Sequence, residues 1–127
     1  MTKPSAQGTR YNAGKAPISL VLEARDAVNG MANVLGFGLI KYGRGNWFKG
    51  LPVTEVADSL ARHLTAYLSG EDNDPETGLP HVDHIAVNAL FISQLSRRPE
   101  CDDRTHLREP PCKKPPVKHP PKKAARR

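Results

Sequence analysis

The feature that most restricts the fold of this sequence is a polar turn between two helical patterns, within residues 62–88. Gly70 is typical of a helix end and Pro80 of a helix start. We therefore predict a helical hairpin whose bend gathers imidazoles and carboxylates at one end. The titratable side chains of this region, apart from Arg62 and Tyr67, are His63, Glu71, Asp72, Asp74, Glu76, His81, Asp83 and His84.

The spacing of apolar residues predicts an all-α fold with three main helices. The first runs from about Pro17 to Tyr42, the second from an N-cap at Thr54 to Gly70, and the third from near Pro80 to about Ser96. At about 1.5 Å per residue, antiparallel pairing of the last two helices is expected to place Asn88 level with His63 and His84 level with Tyr67.

Charge divides the chain into unequal parts. Residues 97–127 hold 11 of the 19 Lys and Arg residues, opposed by four acidic residues, and seven of the 12 prolines. The other 96 residues carry eight basic and nine acidic side chains, so their net charge is about −1. We expect residues 1–16 to form an irregular arm, 17–96 the helical domain, and 97–127 a disordered basic tail that contacts nucleic acid weakly at most.

The two cysteines, Cys101 and Cys112, fall in that tail, and we expect none in the folded part. Their spacing, with no pair of histidine ligands nearby, is not that of a zinc site. No signal-peptide pattern or long apolar run is visible, so we expect a cytoplasmic protein without a membrane span.

The acidic turn leaves the identity of a bound cation open. Residues 72–83 resemble part of a calcium-binding loop, but Thr77 stands where glycine is expected and Asp83 replaces the closing glutamate. Mixed histidine and carboxylate ligands suit Mn²⁺, Co²⁺ or Zn²⁺ better than Mg²⁺.

A glycine-rich loop at residues 41–52 carries the only tryptophan. One use of Trp47 is to stack on a nucleotide base while nearby cations contact phosphate. The alternative is that Trp47 and Phe48 fill the core of the hairpin. The sequence does not distinguish between these two uses.

Four blocks of the sequence, in this order, resemble the phage dATP/dGTP diphosphohydrolase N-terminal family, a branch similar to the MazG-like all-α nucleotide pyrophosphohydrolases. The blocks are Arg-Tyr-Asn-Ala-Gly-Lys (10–15), Phe-Gly-Leu-Ile-Lys-Tyr-Gly-Arg-Gly-Asn-Trp (37–47), Arg-His-Leu-Thr-Ala-Tyr-Leu-Ser-Gly-Glu-Asp (62–72) and Asp-Pro-Glu-Thr-Gly-Leu-Pro-His-Val-Asp-His (74–84). The resemblance covers about residues 8–96.

The resemblance implies a MazG-like helical bundle completed by oligomerisation, as a homodimer or homotetramer. It also implies metal-dependent hydrolysis of a purine (deoxy)nucleoside triphosphate, above all dGTP or GTP, to the monophosphate and pyrophosphate. In a phage, the dGMP would supply synthesis of a modified purine nucleotide in the host cytoplasm. The residues alone do not distinguish guanine from adenine, ribose from deoxyribose, or Mg²⁺ from Mn²⁺.

The chain departs from the MazG-like carboxylate motifs. His81 and His84 replace the second motif, while Arg62 and His63, with Ala66, stand where the first would fall. Either the acidic ligands move into the turn or imidazoles bind the metal. We therefore predict metal ligands among His63, Glu71, Asp72, Asp74, His81 and His84, all but Asp72 also being candidate catalytic residues. The predicted substrate-binding residues are Lys15, Lys41, Tyr42, Asn46, Trp47, Arg62 and Asn88.

An alternative hypothesis is a small basic phage protein that binds nucleic acid through its tail and uses the metal site only for structure. Deletion of the tail distinguishes the two hypotheses, because the enzyme would keep its activity and the binding protein would lose its function.

Overall fold

The computed structural model describes residues 8–11 and 13–104, and the regular structure in this part is helical. The helices are α1 (Ser19–Leu22), α2 (Arg25–Tyr42), α3 (Val53–Leu68) and α4 (His81–Leu95), with a 3-10 turn at Trp47–Lys49. The prediction of an all-α fold is confirmed. Part of the predicted arm and most of the predicted tail, including Cys112, lie outside the described residues. No described helix combines the length and apolar character needed to cross a membrane.

The prediction of one continuous helix from Pro17 to Tyr42 was wrong. The chain leaves the helical conformation at Ala24, where φ is −82° and ψ is 65°, and α2 starts at the next residue. All four residues of α1 are exposed. Because the apolar side chains of α1 are not buried, burial gives no support for continuing this helix into α2.

The start of α3 differs from the predicted N-cap at Thr54. The helix begins at Val53, and Thr54 donates from both its backbone N–H and its hydroxyl to the carboxylate of Asp103, at 3.0 and 2.5 Å. The N–H of Val53 donates to the carbonyl of Cys101 at 2.9 Å. The polar groups that satisfy the N-terminus of α3 thus come from the segment after α4, which local sequence signals do not reveal.

The same segment completes the core. Cys101 is only 4% exposed and packs with Val53, Val56 and Leu95. The expectation that the folded part contains no cysteine was therefore wrong. Partly buried side chains surround this cluster, namely Trp47, Leu51, Phe91 and Ile92.

Helices α3 and α4 pair as expected, but their register differs from the prediction by about one helical turn. The ring of His84 stacks on that of His63, and the amide of Asn88 donates to the hydroxyl of Ser59 at 3.2 Å. The connecting loop folds back on itself through a bridge between Asn73 and Pro80. Helix α4 consequently begins beside the end of α3 and not beyond it.

Helix α2 packs against α4 at a point where Gly30 lies close to the side chain of Asp83. Gly30 is buried, and a Cβ atom there would lie 2.3 Å from a carboxylate oxygen of Asp83. Beyond this contact, the second half of α2 forms one wall of a large cleft, and α3 and α4 form the other.

Candidate metal centre and cleft

The bend between α3 and α4 places Glu71 next to the first residue of α4. Gly70, with φ of 103°, ends α3 in the left-handed conformation. The N–H of Glu71 donates to the carbonyl of Ala66 and that of Gly70 to Tyr67, at 3.1 and 3.0 Å. This is the paired hydrogen bonding of a Schellman motif, and it confirms the predicted helix end.

A chain of hydrogen bonds links Glu71, His81 and His63. The Nε2 atom of His81 lies 2.8 Å from a carboxylate oxygen of Glu71. The Nδ1 atom of His81 lies 2.8 Å from Nδ1 of His63. His81 is only 3% exposed. Because a carboxylate accepts, Nε2 of His81 donates to Glu71, and one of the two Nδ1 atoms donates to the other.

His84 supports this arrangement from the side. Its ring lies parallel to that of His63, with the centroids 4.4 Å apart and the planes 2° apart. Its Nε2 atom lies 2.8 Å from the hydroxyl oxygen of Thr77. The same hydroxyl oxygen accepts the N–H of Leu79 at 3.1 Å. Thr77 thus fixes both the turn and the orientation of His84.

Asp74 is held in place by the turn that it begins. One of its carboxylate oxygens accepts the N–H of Thr77 at 3.0 Å, and its own N–H donates to the carbonyl of Leu79 at 2.8 Å. Burial alone would raise the pKa of Asp74, but its hydrogen bonds with Thr77 and the nearby His84 hold it below its ordinary value. The carboxylate is therefore ionised near neutral pH.

Three of these side chains form a group with the geometry of a metal site. Donor atoms of His63, Asp74 and His81 all lie within 4.8 Å of one another. Burial lowers the pKa of His63, and His84 lowers it further. Burial also lowers the pKa of His84, although Asp74 opposes this. His63 is therefore neutral near pH 7, which is the state in which imidazole binds a metal.

The group lies in the wall of a cleft of about 1040 Å³, at the upper end of the size range of small-molecule sites. The second half of α2 and the loop that follows it form the opposite wall. A salt bridge joins the two sides, with Nζ of Lys41 3.1 Å from a carboxylate oxygen of Glu76. Arg62 and Arg44 also line the cleft, so cationic side chains and the group of His63, Asp74 and His81 line one space.

Most of the predicted site residues meet in this cleft. All five candidate catalytic residues line it, and so do six of the predicted substrate-binding residues, Lys41, Tyr42, Asn46, Trp47, Arg62 and Asn88. Two predicted site residues, Lys15 and Asp72, do not line the cleft. Lys15 is exposed. The backbone carbonyl of Asp72 accepts the N–H of His81.

Thr77 was not among the predicted site residues. Asp74 accepts the N–H three residues ahead, which is the spacing of an N-cap contact, and an aspartate at the start of this turn was visible in the sequence. The ring stack that Phe91 forms with Trp47 joins residues 44 positions apart, so no local pattern indicates it.

The chain resembles known proteins over most of its length. The family model described as dATP/dGTP diphosphohydrolase, N-terminal, matches residues 5–104. A curated protein of Salmonella phage PMBT28, named dATP/dGTP diphosphohydrolase, is 41% identical over 98 residues, which are 76% of this chain and 33% of that protein. The chain thus spans about a third of the length of this relative. No solved structure matches the chain.

Proposed function

Because the chain belongs to the dATP/dGTP diphosphohydrolase N-terminal family, we propose that its cleft hydrolyses a purine (deoxy)nucleoside triphosphate. The products are the monophosphate and pyrophosphate, and dGTP is the favoured substrate. The observation that carries this proposal is the group of His63, Asp74 and His81 in the wall of a cleft that is also lined by cationic and aromatic side chains.

The residues present fit a divalent cation. His63, His81 and Asp74 supply two imidazole nitrogens and a carboxylate, a donor set that suits Mn²⁺, Co²⁺ and Zn²⁺ and, less well, Mg²⁺. Glu71 accepts the proton of the outer nitrogen of His81, as carboxylates beside metal-bound histidines commonly do. For both Nδ1 atoms to bind a cation, the proton that lies between them must move elsewhere, such as to Nε2 of His63. A bound cation would activate a water molecule and neutralise charge on the triphosphate.

The other residues of the cleft then have separate tasks. In this proposal Lys41 and Arg62 bind phosphate oxygens, and Lys41 would exchange its contact with Glu76 for one with the substrate. Glu71 lines the cleft and is about half exposed, so it can also accept the proton released by the attacking water. His84 and Thr77 act on His63 and on the turn, and we regard them as positioning residues. Tyr42, Asn46 and Asn88 line the space left for the nucleoside.

The dGMP formed in this way would feed the synthesis of a modified purine nucleotide in phage-infected cells. For this role, a later reaction must consume the purine monophosphate that the cleft releases.

The test is to incubate the chain with Mn²⁺ and each of the eight common nucleoside triphosphates and to separate the products by chromatography. We expect a purine monophosphate and pyrophosphate. His81→Ala and Asp74→Ala should each lower the rate roughly 100-fold or more, since each removes a proposed ligand. Asp58→Ala is the matched control, because Asp58 is exposed on α3 and does not line the cleft. Parent rates in folded His81→Ala and Asp74→Ala proteins would contradict the proposal.

A further inference from the structure

Three aromatic rings form a continuous stack in the wall of the cleft. The centroid of Trp47 lies 4.2 Å from that of Phe48 and 4.4 Å from that of Phe91, with interplanar angles of 25° and 24°. Two rings this close to the centre of the indole would overlap if they shared one of its faces. Phe48 and Phe91 therefore cover opposite faces of Trp47, and the indole has no face left for a ligand.

Phe48 is the more exposed end of this stack. Its side chain lines the cleft and is 57% exposed, although one ring face is covered by Trp47. Phe91, at the other end, is only partly exposed and packs against the buried core. The outer face of Phe48 is thus a flat apolar surface directed into a space that also contains Lys41 and Arg44.

The backbone of Phe48 is held from several directions. Its N–H donates to the carbonyl of Gly45 at 3.1 Å, and its carbonyl accepts a hydrogen bond from Nη1 of Arg98 at 2.6 Å. Arg98 in turn contacts Glu100, with its Nε 3.0 Å from a carboxylate oxygen. A ring that is fixed before a ligand arrives loses little conformational entropy on stacking.

We propose that Phe48 is the stacking surface for the purine base in this cleft. The proposal rests on the function proposed above, and it assigns to Trp47 the role of a positioning residue. Stacking on a benzene ring tolerates any base, because each base has a π face. The surface would thus favour a nucleotide over a free polyphosphate without choosing between guanine and adenine.

The test compares the Phe48→Leu protein with the parent by calorimetric titration in the presence of Mn²⁺. The probes are non-hydrolysable analogues of dGTP and dATP, and inorganic tripolyphosphate. Leucine keeps an apolar side chain but removes the π face, so we expect Kd for both nucleotides to rise roughly 5- to 100-fold. We expect Kd for tripolyphosphate to stay within about twofold of the parent value.

Two further variants separate stacking from folding. Phe48→Tyr keeps the ring and should bind both nucleotides as the parent does. Tyr67→Leu removes another exposed aromatic ring, on α3 and outside the cleft, and should also leave binding unchanged. Parent-like binding of nucleotides by Phe48→Leu, or an equal loss of tripolyphosphate binding, would overturn the proposal.

The outcome also distinguishes this inference from the proposed function. If the parent hydrolyses dGTP and Phe48→Leu binds it equally well, only the stacking proposal fails. If the parent binds nucleotides through Phe48 without hydrolysing them, only the proposed function fails. Absence of nucleotide binding by the parent would overturn both.

Discussion

At the scale of single residues, protonation decides whether the space between α3 and α4 attracts or repels a cation. His63, His81 and His84 lie within one stack and hydrogen-bonded chain. Burial disfavours positive charge on His63 and His84, and charge on a neighbouring ring disfavours it further. In the folded protein these two imidazoles therefore favour the neutral state, and in the unfolded chain they take up protons more readily.

This difference predicts how the stability of the metal-free protein depends on pH. The folded pKa values of His63 and His84 lie below the ordinary 6.5. The unfolded state binds more protons between the two values, so stability is complete above about pH 6.5 and is lost as the pH falls. With EDTA present, we expect Tm by circular dichroism to fall by several degrees from about pH 8 to about pH 5.5.

A matched variant makes the pH measurement specific. His84→Asn removes one of the two imidazoles, so its Tm should fall less over the same interval. The carboxyl group of Asp74 titrates below this interval, because its pKa lies below the ordinary 3.8. A Tm that stays constant or rises on acidification would contradict the assignment of neutral imidazoles to His63 and His84.

At the scale of the helices, the contact between α2 and α4 depends on the missing side chain of Gly30. We expect Gly30→Ala to lower the free energy of unfolding by about 1–2 kcal/mol, because the new methyl group displaces the Asp83 carboxylate and outweighs the better helix propensity of alanine. Chemical denaturation measures this change. Combining it with Asp83→Ala should remove much of the cost, since the clash is then absent.

Gly36→Ala is the control for this experiment. Gly36 lies on the same helix, and a Cβ atom there would meet nothing within 4 Å. Its replacement should leave stability unchanged or raise it by up to about 1 kcal/mol. Equal effects of the two substitutions on the free energy of unfolding would show that the close approach of α2 and α4 at Gly30 does not affect stability.

The helices show what the sequence could and could not reveal. The end of α3 and the extent of α4 were predictable, because Gly70 and Pro80 act on their own neighbours. The break at Ala24 was not predictable, since no glycine or proline marks it. The capping of α3 by Asp103 was missed because it joins residues 49 positions apart.

The candidate site was likewise predictable only in part. The clustering of imidazoles and carboxylates followed from helical spacing, whereas the pairing of His63 with His84 depended on the folded-back loop. That loop is fixed by hydrogen bonds such as the one from His81 N–H to the carbonyl of Asp72, at 2.8 Å. Its geometry also explains why Glu71 contacts His81 directly.

At the scale of the whole molecule, many apolar side chains in the described part of the single chain are exposed. Leu20, Val21 and Leu22 of α1 are more than half exposed, and so are Ile40 and Leu68. Only five apolar side chains of the described residues are buried, among them Val87 and Leu95. A core of this size gives little stability on its own, and exposed apolar patches commonly mark interfaces.

We therefore propose that the chain assembles at least as a homodimer. Light scattering at micromolar concentration should give a mass of two or more chains, compared with 13.9 kDa for one. Leu68→Glu places a charge on an apolar side chain that is 73% exposed and should shift the mass towards the monomer. A parent protein that is monomeric at this concentration would contradict the proposed assembly.

The proposed chemistry requires His63, Asp74 and His81 to share one divalent cation beside the substrate. The most direct measurement is anomalous X-ray diffraction from crystals soaked with Mn²⁺ and a non-hydrolysable dGTP analogue. We predict a manganese peak within bonding distance of Nδ1 of both histidines and of the Asp74 carboxylate, in contact with the triphosphate. An ordered analogue in the cleft without manganese at these three side chains would contradict the account.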